Sequence, residues 1–486
     1  MLGYTGMILF IIGVILVLPL IVLIFFPSES PCLWAFLTPG LFAIFLGGLL
    51  WCFFSSENKA DLTYSEGTVI VAVSWMIAIG LGAYPFLKAG GLTFTQAVFE
   101  SASGWTTTGL TVIDVGPAPR IVLLYRSILQ WMGGAGFAII MLSALAGPAG
   151  TGLSSAEGRE SQLVPNIRRS AALVLGIYTA YTLFGMAALH VAGMSGFDAV
   201  NHAFTSISTG GFSTRPESIG YWKNPHVEAV VIVLMLLGST NFFTGYLLFK
   251  RKMVSVYRNS EMRLEAIIIL VSISMLFVVQ SRQLHLTLPE SFRVSVFEAV
   301  SAISTTGFTI GANSPWNGFG IWMIILLMLI GGGTGSTSGG IKLYRLYILF
   351  RGLIWEFKRK ILPNTAVTEP DAWHGEQRRF IGDEELKHNA LYVFLYLSFF
   401  AAGGLMIAWY GFPLQDSLFE FASAVGTVGL SAGVTGSETP CVVLWTQTIG
   451  MLLGRLEFFA VIVGMIKLIS DVRSIIPLSG ATRESE

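Results

Sequence analysis

One short pattern of small and hydroxyl-bearing residues occurs four times in this chain. The segments are FESASGWTTTGLT from Phe99, NHAFTSISTGGFS from Asn201, FEAVSAISTTGFT from Phe297 and FEFASAVGTVGLS from Phe419. One glycine aligns in all four: Gly109, Gly211, Gly307 and Gly429. Two residues earlier stands a threonine, Thr107, Thr209, Thr305 or Thr427, and between them lie Thr108, Gly210, Thr306 and Val428. Six residues before the glycine comes a small hydroxyl (Ser103, Thr205, Ser301, Ser423), and nine before it Glu100, His202, Glu298 and Glu420. These residue types suit the handling of a dehydrated cation. A ring of backbone carbonyls can stand in for the water that an ion sheds in a narrow passage. Turning carbonyls inward needs dihedrals that glycine adopts without steric cost. The neighbouring threonine adds a side-chain oxygen, and four copies around one axis supply the ring.

The elements that would position such a ring are membrane helices. Of 486 residues, 53% are hydrophobic and only 12% charged, about half the charged share of ordinary globular chains. Met7 to Phe26 carries no charge and is long enough to cross a bilayer, and Leu33 to Phe54 repeats the pattern. Met1 to Gly6 lacks Lys and Arg, so the first span reads as a retained helix rather than a cleaved signal. Further spans are expected near 66–87, 119–146, 171–193, 227–249, 264–280, 319–350, 389–411 and 441–469, which makes about ten crossings. The connections alternate between basic and basic-poor. The basic set includes Arg168, Arg169, Lys250, Arg251, Lys252, Arg258, Arg351, Lys358, Arg359, Lys360, Arg378 and Arg379. Lys and Arg collect on the cytoplasmic side, so both termini are expected there. All four repeated segments fall in basic-poor connections. Each is too short to cross and too apolar for a plain loop, the mark of a re-entrant element. The stretch before each glycine is expected to form a short helix whose C-terminal end points partial negative charge at a cation.

The fold class expected is therefore an all-α integral membrane protein with four helix–pore-loop–helix repeats around one pseudo-fourfold pore. The divisions are a transmembrane hairpin over 1–58 and repeats over 59–165, 166–258 and 259–360. A cytoplasmic connector over 361–387 and a fourth repeat with its tail over 388–486 complete the chain. Thr427-Val428-Gly429-Leu430-Ser431 is close to the Thr-Val-Gly-Tyr-Gly filter of potassium channels. No copy keeps the second glycine, which points to fewer ion sites and weaker selectivity. Glu100, His202, Glu298 and Glu420 are read as bracing the filter backbone rather than touching the ion. Small residues also let membrane helices pack closely, but packing does not explain four aligned copies.

Two further features read as gate elements. Leu327 to Lys342 is LMLIGGGTGSTSGGIK, and its glycines (Gly331, Gly332, Gly333, Gly335, Gly339, Gly340) should break the helix into a loop facing the pore. It lacks the spacing of a phosphate-cradling loop. Arg455 falls mid-span in the last apolar stretch, where a central Arg costs roughly 2.5–3.5 kcal/mol, so it should face a wet cavity or a partner. Glu457, two residues on, lies on a different helical face.

The four Thr-x-Gly segments, the glycine-rich interruption, the Gly454-Arg455-Leu456-Glu457 stretch and the extra N-terminal helix pair together resemble a TrkH-type potassium uptake subunit. The resemblance covers nearly the whole chain. It implies potassium as cargo, held by backbone carbonyls of the Thr-x-Gly residues, with Gly331 to Gly340 as gating loop and Arg455 as the constriction below. It also implies a homodimer in the lipid of a prokaryotic cytoplasmic membrane and a TrkA-like cytoplasmic ring that binds nucleotides. Arg351 to Lys387 offers a docking surface for such a ring.

Alternatives are a proton- or sodium-coupled symporter and the channel-like subunit of a potassium-pumping ATPase. Symporter folds often carry inverted repeats, whereas these copies share one orientation. No nucleophile, base or metal constellation points to an enzyme, and no cofactor is expected. The formal net charge of zero gives no hint of nucleic acid. Cys32, Cys52 and Cys441 are scattered and read as small apolar side chains.

Overall fold

The computed structural model of the chain describes residues 2–54, 64–135, 167–283, 287–311, 317–363, 371–374 and 377–475. The described residues are almost wholly helical, and after an N-terminal pair they fall into four units of like construction. Each unit has a first helix, a short pore helix, an extended filter segment and a return helix. The first helices are Tyr64–Lys88, Ile167–Val191, Ser260–Gln283 and Asp383–Trp409. The pore helices are Phe94–Trp105, Gly196–Ile207, Leu288–Ile303 and Leu414–Val425. The return helices are Arg120–Gly134, Pro225–Ser239, Gly318–Ile330 and Cys441–Leu456. Each return helix packs against the pore helix of the next unit, and the fourth packs against the first pore helix, which closes the ring.

Six described helices are long and apolar enough to cross a membrane, and two bent pairs raise this to eight. The other two of the ten expected crossings are the Arg120–Gly134 helix, whose continuation lies outside the described residues, and the span interrupted at Gly331. Large apolar side chains such as Phe45, Phe394 and Trp409 face outward, as lipid-facing helices require.

Two expectations need correction. The span expected over 227–249 is broken: Pro225–Ser239 and Phe242–Phe249 meet at 113°. Asn241 caps the second piece by accepting from Phe243 N–H at 2.8 Å. The span expected over 441–469 is likewise broken, with a 102° bend at Glu457, whose φ is +60°. Its carboxylate is held by Arg345 at 2.7 Å, so Arg455 sits at a helix end and not mid-span. The connector carries a short hairpin. Asp371–His374 and Gln377–Phe380 pair antiparallel, pinned by Arg351 and Arg378 on the Asp371 carboxylate at 2.6 and 2.7 Å.

The N-terminal pair, Leu2–Val17 and Leu33–Phe54, packs through facing glycines. It is tied to the first repeat by Glu29, whose carboxylate accepts from Arg120 and Ile121 N–H, each at 2.8 Å. A carboxylate there meets the positive end of that return helix.

Candidate functional site: a ring of four filter segments above a glycine-rich loop

Each pore helix stops at the same point of the pattern. Its C-cap is Thr106, Ser208, Ser304 or Gly426, and the next residue turns left-handed. That residue is the aligned threonine: φ is +57° at Thr107, +52° at Thr209, +56° at Thr305 and +52° at Thr427. A left-handed residue other than glycine costs about 1–2 kcal/mol, so strain sits at one equivalent position four times over. Residue types alone assigned unusual dihedrals to the glycines only. The glycines are left-handed too, with φ from +74° at Gly211 to +98° at Gly429.

Between them the middle residue keeps an ordinary conformation and donates its N–H back to the pore helix. Thr108 donates to Ser103 O (2.9 Å), Gly210 to Thr205 O (2.8 Å), Thr306 to Ser301 O (3.0 Å) and Val428 to Ser423 O (2.8 Å). Its carbonyl then faces the glycine of the preceding repeat. A Cβ built on Gly109 would strike Gly210 O; on Gly211, Thr306 O; on Gly307, Val428 O; and on Gly429, Thr108 O. The four contacts form a closed cycle, one to two to three to four and back to one. Any side chain at these glycines would displace a filter carbonyl. The threonines are fully buried, and the hydroxyls of Thr107 and Thr427 find no hydrogen-bond partner among the described residues. Oxygen that faces no donor is what a cation ligand requires.

The expected bracing residues all lie behind the ring. Glu100 accepts from the Thr111 hydroxyl (2.9 Å) and Val112 N–H (3.0 Å). Glu298 accepts from the Thr309 hydroxyl (2.6 Å) and Ile310 N–H (3.2 Å). Glu420 accepts from the Ser431 hydroxyl (2.8 Å), Ala432 N–H (2.8 Å) and Thr435 N–H (3.0 Å). His202 meets the Ser213 hydroxyl at 3.0 Å. The partner is always the hydroxyl two residues past the glycine. Sequence reasoning missed this fifth aligned position, although Thr111, Ser213, Thr309 and Ser431 end the four segments as written. It also missed Arg126, which pairs with Glu100 at 2.8 Å, both side chains almost fully buried, and Gln130, one turn further on.

Below the ring, Gly331–Gly340 forms a loop between the Gly318–Ile330 and Leu343–Ile361 helices. Its neck is closed by backbone bonds from Ile341 N–H to Leu329 O (2.9 Å), Lys342 N–H to Ile330 O (2.9 Å) and Leu343 N–H to Gly332 O (3.0 Å). Its tip reaches the other repeats. Thr337 N–H donates to Gly238 O (3.1 Å), and Gly333 N–H to Ser239 O (2.9 Å). Gly339 N–H donates to the Thr305 hydroxyl (2.8 Å), and a Cβ on Gly339 would strike Gly426 O and the Thr427 hydroxyl. Glu261 takes Thr334 N–H at 2.9 Å, and Lys342 Nζ donates to Ser338 O.

Arg455 joins this loop to the first repeat. Its guanidinium donates to Thr337 O at 2.8 Å and to Gly133 O at 2.5 Å. The partners of this cation include backbone carbonyls of the loop and of the first repeat. Gly454 lets the helix carrying Arg455 approach the fourth pore helix, since a Cβ there would strike Val425 O. A cavity beneath the loop is lined by Trp75, Lys342, Tyr392, Arg455 and Glu457.

The family profile for TrkH, described as a cation transport protein, matches residues 33–474. The chain belongs to the TrkH family. It is 32% identical to an uncharacterized cation transporter of Methanocaldococcus jannaschii, over 94% of this chain and 93% of that protein. It is 31% identical to the Trk system potassium uptake protein TrkH of Escherichia coli K12, over 87% of this chain and 89% of that one. The crystal structure of the potassium transporter TrkH from Vibrio parahaemolyticus superposes with a TM-score of 0.82 at 26% identity, covering 95% of this chain and 97% of that one. TrkH proteins are multi-pass transporters of the membrane and not enzymes, in keeping with the apolar helices here.

Proposed function

We propose that this chain carries potassium into a prokaryotic cell across the cytoplasmic membrane, through the carbonyl ring of the four Thr-x-Gly segments. The observation that carries the reading is the cycle of glycine–carbonyl contacts through Gly109, Gly211, Gly307 and Gly429. It sets four equivalent carbonyls around one axis, which suits the replacement of a monovalent ion's water. The names of the relatives in Escherichia coli and Vibrio parahaemolyticus support potassium as cargo. The Gly331–Gly340 loop and Arg455 act as the gate: the loop lies against the second, third and fourth repeats, and the arginine ties it to the first. Glu100, His202, Glu298 and Glu420 hold the filter backbone. The working form is a homodimer, with both termini cytoplasmic and a TrkA-like nucleotide-binding ring as regulator docking on the connector between Arg351 and Lys387. Part of that connector, 364–370 and 375–376, lies outside the described residues.

The test is potassium and sodium flux into liposomes holding the purified protein. Wild type should pass potassium in preference, Gly429→Ser should lose the preference, and Arg455→Ala should pass ions faster. Unchanged flux and selectivity in both folded variants would reject the pore.

A further inference from the structure

We propose that the second filter segment is positioned by two side chains of the first repeat, Gln130 and Arg126, and that Gln130 governs how sharply the ring discriminates between cations. The proposal rests on the filter reading above.

The second copy is the weakest by its own resources. Its middle residue is Gly210, where the others have Thr108, Thr306 and Val428. Its bracing residue is His202, which spends one ring nitrogen on Asp198 O at 2.8 Å and keeps only the other for Ser213. The three glutamates each reach a hydroxyl and a backbone N–H with one carboxylate. The hydroxyl six residues before the glycine is also diverted. Ser103 and Ser301 donate forward to Leu110 O and Phe308 O at 2.6 Å each, whereas Thr205 donates back into its own helix, to Asn201 O at 3.1 Å.

The Arg120–Gly134 return helix supplies what is missing. Gln130 Nε2 donates to Gly210 O at 2.5 Å, and Gln130 Oε1 accepts from Phe212 N–H at 3.1 Å. A Cβ built on Gly210 would strike the Gln130 amide, so the amide fills the space that a threonine or valine fills in the other copies. Four residues earlier, on the same helix face, Arg126 donates to Ser213 O at 3.3 Å and lies over the Phe212 ring at 3.9 Å. Glu100 neutralises it. Gln130 is fully buried and Arg126 almost so. Burying an amide and a guanidinium is unfavourable unless their hydrogen bonds are made, and here the bonds fall on Gly210, Phe212 and Ser213 of one segment. Glycine at the middle position has the widest choice of backbone conformations. The clamp removes that choice and fixes the direction of Gly210 O, the carbonyl against Gly109. Selectivity depends on the number and field of the coordinating carbonyls, so selectivity is the property that Gln130 should move.

Gln130→Met keeps the volume and removes both hydrogen bonds. In liposomes, the potassium-to-sodium permeability ratio from reversal potentials should fall by roughly two- to tenfold, the equivalent of one neutral hydrogen bond, with potassium flux retained. Gly429→Ser is measured beside it. A wild-type ratio in Gln130→Met, with selectivity lost in Gly429→Ser, overturns the proposal and leaves the filter reading standing. No change in either variant removes the filter reading and the proposal together. If Gln130→Met does not fold, Gly210→Thr with Gln130→Ala replaces it and fills the same space without the amide. A reduced ratio there supports the clamp, and a wild-type ratio shows that filling alone suffices and overturns it.

Discussion

The filter segments and the Gly331–Gly340 loop are built from the same small and hydroxyl-bearing residue types, yet they are held differently. Three of the four filter segments are held mainly from within their own repeat: the middle N–H returns to the pore helix, and a glutamate of that helix grips the strand that follows. The loop is held by Glu261 and Thr305 of its own repeat and also by two other repeats, at Gly238, Ser239 and Arg455. A segment braced by its own helix keeps its shape when neighbours shift. A loop fastened to neighbours keeps its place only while they stay put. The first arrangement suits a fixed selectivity element, and the second a part that must be released.

Breaking the filter side should have the largest effect. Gly429→Ser forces a left-handed serine, costing about 1–2 kcal/mol in backbone strain, into the space of Thr108 O. Reversal potentials should show potassium preference abolished. Next, Glu420→Ala leaves a hydroxyl and two backbone N–H groups without their acceptor, at roughly 1–3 kcal/mol each. Thermal unfolding in detergent should begin at lower temperature than in any gate variant, and selectivity should fall. On the gate side, Arg455→Ala removes charged hydrogen bonds worth about 1.5–3 kcal/mol apiece to Thr337 O and Gly133 O. Flux should rise severalfold with selectivity unchanged. The smallest effect belongs to Thr337→Val, which keeps the shape but loses a hydroxyl lying 3.0 Å from Ile207 O and 2.9 Å from Gly238 O. About 1 kcal/mol should appear as a flux increase of a few fold. A gate variant that altered selectivity, or a filter variant that altered flux alone, would erase the distinction between the two regions.

The ring was legible in the amino-acid sequence because its demands repeat as residue types: a threonine, a glycine, a hydroxyl and an acid at fixed offsets, four times. The left-handed threonines were not legible, since nothing in a threonine's identity announces its φ. Arg126 and Gln130 were hidden for another reason. They sit in an apolar return helix and act on a different repeat, so no local spacing connects Gln130 to Gly210. The glycine-rich interruption was plain, but the bends at Asn241 and Glu457 were not. Neither break contains proline, and the few polar residues at each, Ser239 to Asn241 and Arg455 to Glu457, sit between long apolar runs. In each case tertiary hydrogen bonds, from Phe242 N–H to Gly335 O and from Arg345 to Glu457, hold a turn that residue types alone do not dictate.

For the gate proposed above, the closed neck of the loop has a consequence for the work of opening. Three backbone bonds fasten residues 329–332 to residues 341–343, so the chain ends entering and leaving the loop are already joined. Swinging the tip aside requires no separation of the two flanking helices, and the closure entropy of the loop is the same in both positions. What remains is the exchange of a handful of polar contacts for water. Such a door turns on its own hinge and leaves the frame of the building standing.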